Sequence, residues 1–275
     1  MVELPEALML AKQMNEIIVG KKVTKVNVEN IKPKIFFLNV SIKEFKSKIE
    51  GHKISKVFCK GKWIYVKLDS KKIFSTAPEM GGDILYHTSD SDTYDNYHFK
   101  FIFEDETFLT IKYQGFIFAR FGTMDELNAE KYPGNIGPTP LDKEFTLEKF
   151  SHLISESNTM IKSLLLDHQN LPGVANFYLN EAFFRSKIHP KRKALSLKDQ
   201  EIKRLFDSII ETLQEALDLK GRTQRKDLHG AKGKFNRTID SKSVGKGCPN
   251  CQTEIMKINV AGTNNYICPS CQDLG

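Results

Sequence analysis

Apolar positions recur at helical spacing in the first segment, where Leu8, Ala11, Met14 and Ile17-Ile18 fall on one face between Pro5 and Gly20. Pro5 suits a first helical turn and Gly20 a stop. Beyond Gly20 the pattern changes to short alternating runs: Val23–Val28, Ile35–Val40, Ile54–Phe58, Trp63–Leu68, Ile73–Ser75, Phe99–Phe103, Phe108–Tyr113 and Phe116–Phe118. Short strands at this density predict a sandwich or barrel. The Pro/Gly-rich stretch from Tyr132 to Pro140 interrupts them, and from there to Gly221 the pattern is helical. A short helix over Thr159–His168, a turn at Gln169–Gly173 and a second helix over Val174–Ser186 are expected. A longer helix follows, with Ser196 and Asp199 in capping-box spacing and an apolar stripe from Ile202 to Leu217.

Composition narrows the class without naming it. The 275 residues include 40% hydrophobic and 27% charged positions, with 19 Phe and one Trp, which suits a packed core and excludes a disordered or disulfide-stapled chain. No window resembles a membrane span, and Glu3 and Glu6 stand where a leader would carry basic residues, so a cytoplasmic protein is expected. The net charge is +7, but Arg185–Lys246 alone holds 17 Lys+Arg against 8 Asp+Glu. That half suits a polyanionic partner, although a solvated helical face explains a charge run equally well.

Four of the five cysteines close the chain as C-x2-C-x16-C-x2-C: Cys248, Cys251, Cys268 and Cys271. Two thiolate turns facing each other across a hairpin suit one structural zinc ion, since four protein ligands leave no site open for water. Two disulfides are the rival reading, disfavoured in a reducing compartment and by the strained rings that Cys-x-x-Cys pairs would form. The insert reads as a hairpin turning at Ala261–Asn265, whose tip could probe a nucleic-acid groove. Gly173, just before a helix opening near Asn176, permits close backbone approach and a phosphate-binding geometry, though most such glycines serve only the turn. The acidic Ser89–Asp95 stretch lacks the Gly and Glu of a calcium loop and is expected to be a solvated loop.

Several of these blocks resemble the formamidopyrimidine-DNA glycosylase/endonuclease VIII family. The opening Met1-Val2-Glu3-Leu4-Pro5-Glu6 resembles its amino terminus, Lys60-Gly61-Lys62-Trp63 its basic strand element, and Ile136–Leu141 its interdomain linker. Ile161–Asp167 followed by Pro172–Glu181 is similar to its helix-two-turn-helix motif, and Cys268-Pro269-Ser270-Cys271-Gln272 to the end of its zinc finger. The resemblance implies an α+β protein. An amino-terminal helix and antiparallel β-sandwich (1–133) would precede a helix-two-turn-helix domain (134–240) and a zinc-binding β-hairpin (241–275), with DNA running between the domains.

The activity implied is base excision with AP-lyase chemistry on a flipped nucleotide of damaged DNA, by a monomer in the cytoplasm or on the nucleoid. The nucleophile would be the α-amine of Val2 after loss of Met1, where the family carries Pro. An α-amine titrates near about 7.7–8.0, so a sizeable fraction is free base at neutral pH. The resemblance makes Glu3 the acid/base partner, Glu6 a positioning carboxylate and Lys62 a phosphate contact. Either glutamate could instead merely stabilise the first helical turn, and Lys62 could be an ordinary strand residue. Met80, Arg120, Phe121, Lys162 and Asn176 match family positions that meet DNA. Lys257, and Arg222, Arg225 and Lys226 in a segment similar to the lesion-recognition loop, are candidates to replace a hairpin arginine that is Thr263 here. Further departures are Ala77 and Ala119, in place of a family His and Arg. A lesion-binding protein without efficient catalysis is the alternative.

Overall fold

The computed structural model describes residues 2–78, 82–88 and 96–274, which form two compact units. The first takes the chain up to Ile136 together with Leu219–Lys234, and the second takes Gly137–Asp218 with Phe235–Gly275. The break after Ile136 lies close to the expected linker boundary. The return of Leu219–Lys234 to the first unit has no counterpart in the sequence pattern.

In the first unit, α1 (Leu4–Ile18) is followed by strands β1 (Val23–Val28), β2 (Phe36–Leu38), β3 (Ile54–Lys60), β4 (Trp63–Leu68), β5 (Ile73–Thr76), β6 (Asp83–His87), β7 (Phe99–Phe103), β8 (Phe108–Lys112) and β9 (Ile117–Gly122). They form two sheets, ordered β1-β7-β8-β6 and β2-β9-β5-β4-β3. Pairing is antiparallel except between β2 and β9, which run parallel with Phe36 opposite Ile117. Phe45, Phe74, Phe99, Phe101 and Phe121 are buried in one core with the inner face of α1, which accounts for the phenylalanine-rich composition. Two short helices in this unit, α2 (Ile42–Ile49) and α3 (Met124–Ala129), escape the sequence pattern. Each is too short to show more than two apolar turns, but Ser41 and Thr123 cap them by accepting from the amides of Glu44 and Glu126.

The second unit holds α4 (Leu147–Ser155), α5 (Ile161–Leu166), α6 (Asn176–Ser186), α7 (Asp199–Asp218) and the hairpin of β10 (Met256–Val260) and β11 (Thr263–Ile267). The expected Ser196/Asp199 capping box is not the one formed. Ser196 sits in a single 3-10 turn, and the Glu201 carboxylate accepts the Lys198 amide at 2.8 Å. The hairpin turn is also tighter than the five residues expected: Ala261 and Gly262 alone span it, both in the left-handed region that a two-residue turn of this twist requires. No helix among the described residues is long and apolar enough to cross a membrane. The Ser89–Asp95 stretch lies outside the described residues.

Candidate active site and nucleic-acid interface

The start of α1 carries the first constellation. Val2 is buried and its nitrogen donates to the Pro78 carbonyl at 3.3 Å. The next amide, of Glu3, donates to Glu6 Oε2 at 3.1 Å, because a carboxylate three residues into a helix reaches back to the capping position. Both carboxylates are withdrawn from water, Glu3 to 2% exposure and Glu6 to none. Such burial requires compensation. It comes from Arg222, whose Nη1 lies 3.4 Å from Glu3 Oε1, whose Nε lies 3.7 Å from Glu6 Oε1, and whose amide donates to Glu6 Oε1 at 3.2 Å. Gly221 allows this approach: a β-carbon there would fall 3.1 Å from Glu6 Cγ, on a backbone with φ of +82°.

Arg222, expected to meet DNA, is buried against the two carboxylates. Its neighbours are similarly engaged. Arg225 Nη1 donates to the Gly82 carbonyl at 3.4 Å, with burial and the nearby Arg222 charge drawing the guanidinium below its ordinary range. Lys226 Nζ is 3.6 Å from Asp83 Oδ2. Lys62 occupies the tight turn joining β3 to β4, with its ammonium 5.8 Å from the centre of the Tyr132 ring. Met80 lies outside the described residues.

Phe121 was expected to reach DNA, yet it is 3% exposed on β9 and packs edge-on against Phe45 at 5.6 Å. Alternation along the strand buries Ala119 with it and turns Arg120 to the opposite face. There Arg120 Nη1 donates to the Phe37 carbonyl at 2.6 Å, and its Nε lies 3.7 Å from Glu130.

The second unit gathers a different group around Lys162. Nothing of this residue is exposed, and its Nζ donates to Asn176 Oδ1 (2.5 Å), Thr263 Oγ1 (2.7 Å) and Asn265 Oδ1 (2.5 Å). All three acceptors are neutral, so desolvation prevails, with Arg237 nearby, and the amine is pushed down to about 7. Lys162, expected to meet DNA, is fully buried and ties α5, α6 and β11 together. Asn176 opens α6 after Gly173, whose φ of +81° turns the chain into the helix, and its Nδ2 donates to the Asn264 carbonyl at 3.1 Å. Two further participants gave no sequence signal. The Arg237 guanidinium lies near both the Phe177 and Tyr266 rings, at 4.7 and 5.3 Å, and buried Glu181 accepts from Thr238 and Arg185.

The four terminal cysteines converge, with all their sulfurs within 4.8 Å of one another and none in a disulfide. Sulfurs around a zinc ion, each about 2.3 Å from the metal, stand about 3.8 Å apart. The observed separations of 3.4 and 3.9 Å fit that donor set. The amides of Asn250 and Cys271 donate to Cys248 and Cys268 Sγ, as thiolate-binding turns do. Gln272 fastens the tail by accepting from the Cys268 amide and donating to the Ile188 carbonyl. The cluster can therefore bind a metal.

Comparison with known proteins decides the family. The formamidopyrimidine-DNA glycosylase N-terminal domain matches residues 1–114, and the H2TH domain of the same enzymes matches residues 136–227. The chain belongs to the formamidopyrimidine-DNA glycosylase family. The formamidopyrimidine-DNA glycosylases of Streptococcus mutans and Bacillus cereus are each 32% identical to it, over 99% of both chains. Among solved structures, Lactococcus lactis Fpg bound to abasic-site DNA superposes with a TM-score of 0.86 at 26% identity, covering 98% of this chain and 99% of that one. The same enzyme in complex with a Fapy-dG-containing DNA also gives 0.86 at 26% identity, covering 98% of this chain and 100% of that one.

Proposed function

We propose that this chain excises damaged bases from DNA through a Schiff base on the α-amine of Val2. It is a base-excision repair DNA glycosylase with AP-lyase activity, and the residues that carry the chemistry follow from the first unit. The observation that carries the assignment is the pair of buried carboxylates, Glu3 next to Val2 and Glu6 one helical turn on, both balanced by Arg222. Buried carboxylates held beside a chain terminus are costly to folding and suit proton transfer.

In this reading, removal of Met1 leaves Val2 with a primary amine, which attacks the anomeric carbon of a flipped nucleotide. The C–N bond to the base breaks as the new one forms, and Glu3 serves proton transfer to and from the opened sugar. Loss of a sugar proton then expels the 3′ phosphate by β-elimination. Val2 forms an imine that can discharge its positive charge by losing a proton, so strand cleavage lags behind Schiff-base formation. Glu6 holds the first helical turn and orients the amine, while Lys62 contributes a cation for the backbone phosphate. Asn176, the start of α6 and the basic Arg185–Lys246 region serve DNA phosphates. One structural zinc held by Cys248, Cys251, Cys268 and Cys271 would fix the hairpin, and the enzyme acts on damaged DNA as a cytoplasmic monomer.

Borohydride trapping on abasic-site DNA tests the assignment. The adduct is expected on the amino-terminal peptide of protein lacking Met1, and a tag ahead of Val2 should abolish it while leaving DNA affinity nearly intact. Undiminished trapping with a blocked terminus would move the nucleophile to a lysine.

A further inference from the structure

Two turns along α1 from Glu6, Gln13 meets the same returning segment that brings Arg222 to the two carboxylates. Glu6 and Gln13 therefore lie on one face of the helix, about 10 Å apart along its axis. The Leu219–Lys234 segment is closed at its neck, where the Lys234 amide donates to the Leu219 carbonyl at 2.9 Å. Just past the neck the Arg222 amide holds Glu6, and further out Asp227 and Leu228 hold Gln13. A closed loop attached at one point can pivot about it. The second attachment fixes its orientation.

That second attachment has a definite chemistry. Gln13 Oε1 accepts the Leu228 amide at 3.0 Å, and Gln13 Nε2 donates to Asp227 Oδ2, also at 3.0 Å. One partner can only donate and the other, when ionised, can only accept, so a side-chain amide satisfies both where a carboxylate would satisfy one. Both partners are themselves fixed. Asp227 Oδ1 accepts the amides of His229 and Ala231 at 3.0 and 2.8 Å, which shapes the turn. Leu228 is fully buried in the core of the first unit, and its carbonyl accepts the Tyr86 amide of β6 at 2.9 Å. The ties from Arg225 to the Gly82 carbonyl and from Lys226 to Asp83 are longer, at 3.4 and 3.6 Å.

We propose that Gln13 is a positioning residue for the reaction at Val2: through its paired bonds to Asp227 and Leu228 it orients the segment so that Arg222 stays against Glu3 and Glu6. The inference rests on the reading of Val2 and Glu3 as reacting groups, and it extends their support two helical turns down α1.

The test reverses the hydrogen bond. Single-turnover borohydride trapping on an abasic-site duplex gives the rate, and anisotropy on a duplex carrying the unreactive tetrahydrofuran analogue gives the affinity, with thermal melts showing that each variant is folded at the assay temperature. Gln13→Glu sets a carboxylate against Asp227 and is expected to slow trapping roughly tenfold or more, while affinity changes less than about twofold. Gln13→Glu/Asp227→Asn exchanges donor for acceptor, since the new amide at position 227 can donate to the new carboxylate at position 13 while its oxygen still accepts the amides of the turn. It should return to within about threefold of wild type. Gln13→Met keeps the bulk and removes both bonds without adding charge, so it should slow trapping in a variant whose fold carries no repulsion. Slowing that Asp227→Asn does not relieve would overturn the inference, and so would a loss of affinity as large as the loss of rate, which marks general loosening of the fold. Wild-type trapping that both single variants leave unchanged would overturn this inference alone, whereas wild type that traps nothing would overturn the assignment of Val2 and this inference with it.

Discussion

Arg222 Nη1 lies 3.4 Å from Glu3 Oε1 although 219 residues separate them along the chain. The same guanidinium serves Glu6, so one cation from the Leu219–Lys234 segment compensates two carboxylates that burial would otherwise make costly. Segment and helix are therefore coupled: docking of the segment lowers the cost of keeping both carboxylates buried in α1.

Removing that cation should show the coupling. Arg222→Ala is expected to cost about 3–5 kcal/mol in urea unfolding, as loss of one partner of a buried ion pair does. Glycosylase rate should fall with it, and Arg222→Lys should recover part of both. A variant as stable as wild type would mean that Glu3 and Glu6 are compensated by other groups.

Lys162 makes stability depend on pH. Its amine is held at about 7 in the folded protein against an ordinary 10.5, chiefly by burial. Between these values the unfolded chain binds a proton that the folded one does not, so stability should rise with pH through this window and be flat in this contribution below it. Urea midpoints measured between about pH 6 and about pH 9 should climb for wild type and much less for Lys162→Met.

Asn176 accepts from both Lys162 and Thr263, so it links a buried lysine to the start of β11. Asn176→Ala should weaken DNA binding on every sequence alike, and wild-type affinity should fall steeply with salt. A loss confined to particular sequences would point to base reading instead.

Cys248 and Cys268 belong to a small core with Phe184, Ile239 and Ile255. Chelation or Cys248→Ser is expected to open the hairpin and weaken DNA binding, while hydrogen exchange in the β-sheets of the first unit stays protected. Metal analysis should return one zinc per chain.

At position 2 the amine type sets the balance of steps. Val2→Pro should speed strand cleavage relative to trapping, because an iminium from a secondary amine cannot discharge by losing a proton. Glu3→Gln should slow base excision strongly yet allow slow trapping on a preformed abasic site, where no base remains to be expelled. Equal slowing of both would place Glu3 in the attack itself.

The features legible in the chain alone are those set by local spacing. Cys-x2-Cys pairs must bend into ligand turns, Gly173 must turn the backbone before α6, and the alternating runs could satisfy their apolar faces only in sheets. The amino-terminal carboxylates and the helix-two-turn-helix segment were legible for the same reason, each lying within a few consecutive residues. What tertiary structure alone decided is which polar groups are buried and what compensates them. Arginine and lysine read as surface cations along the sequence, yet Arg222 closes on Glu3 and Glu6, and Lys162 disappears beneath Asn176, Thr263 and Asn265. Strand alternation likewise fixes that Ala119 and Phe121 share a face, but only the β1-β7-β8-β6 sheet and α2, packed on that face, turn Phe121 into core, while Phe37 and Phe116 stay in water. Desolvation and charge pairing act through space between residues as much as 219 positions apart, so no local pattern can carry them.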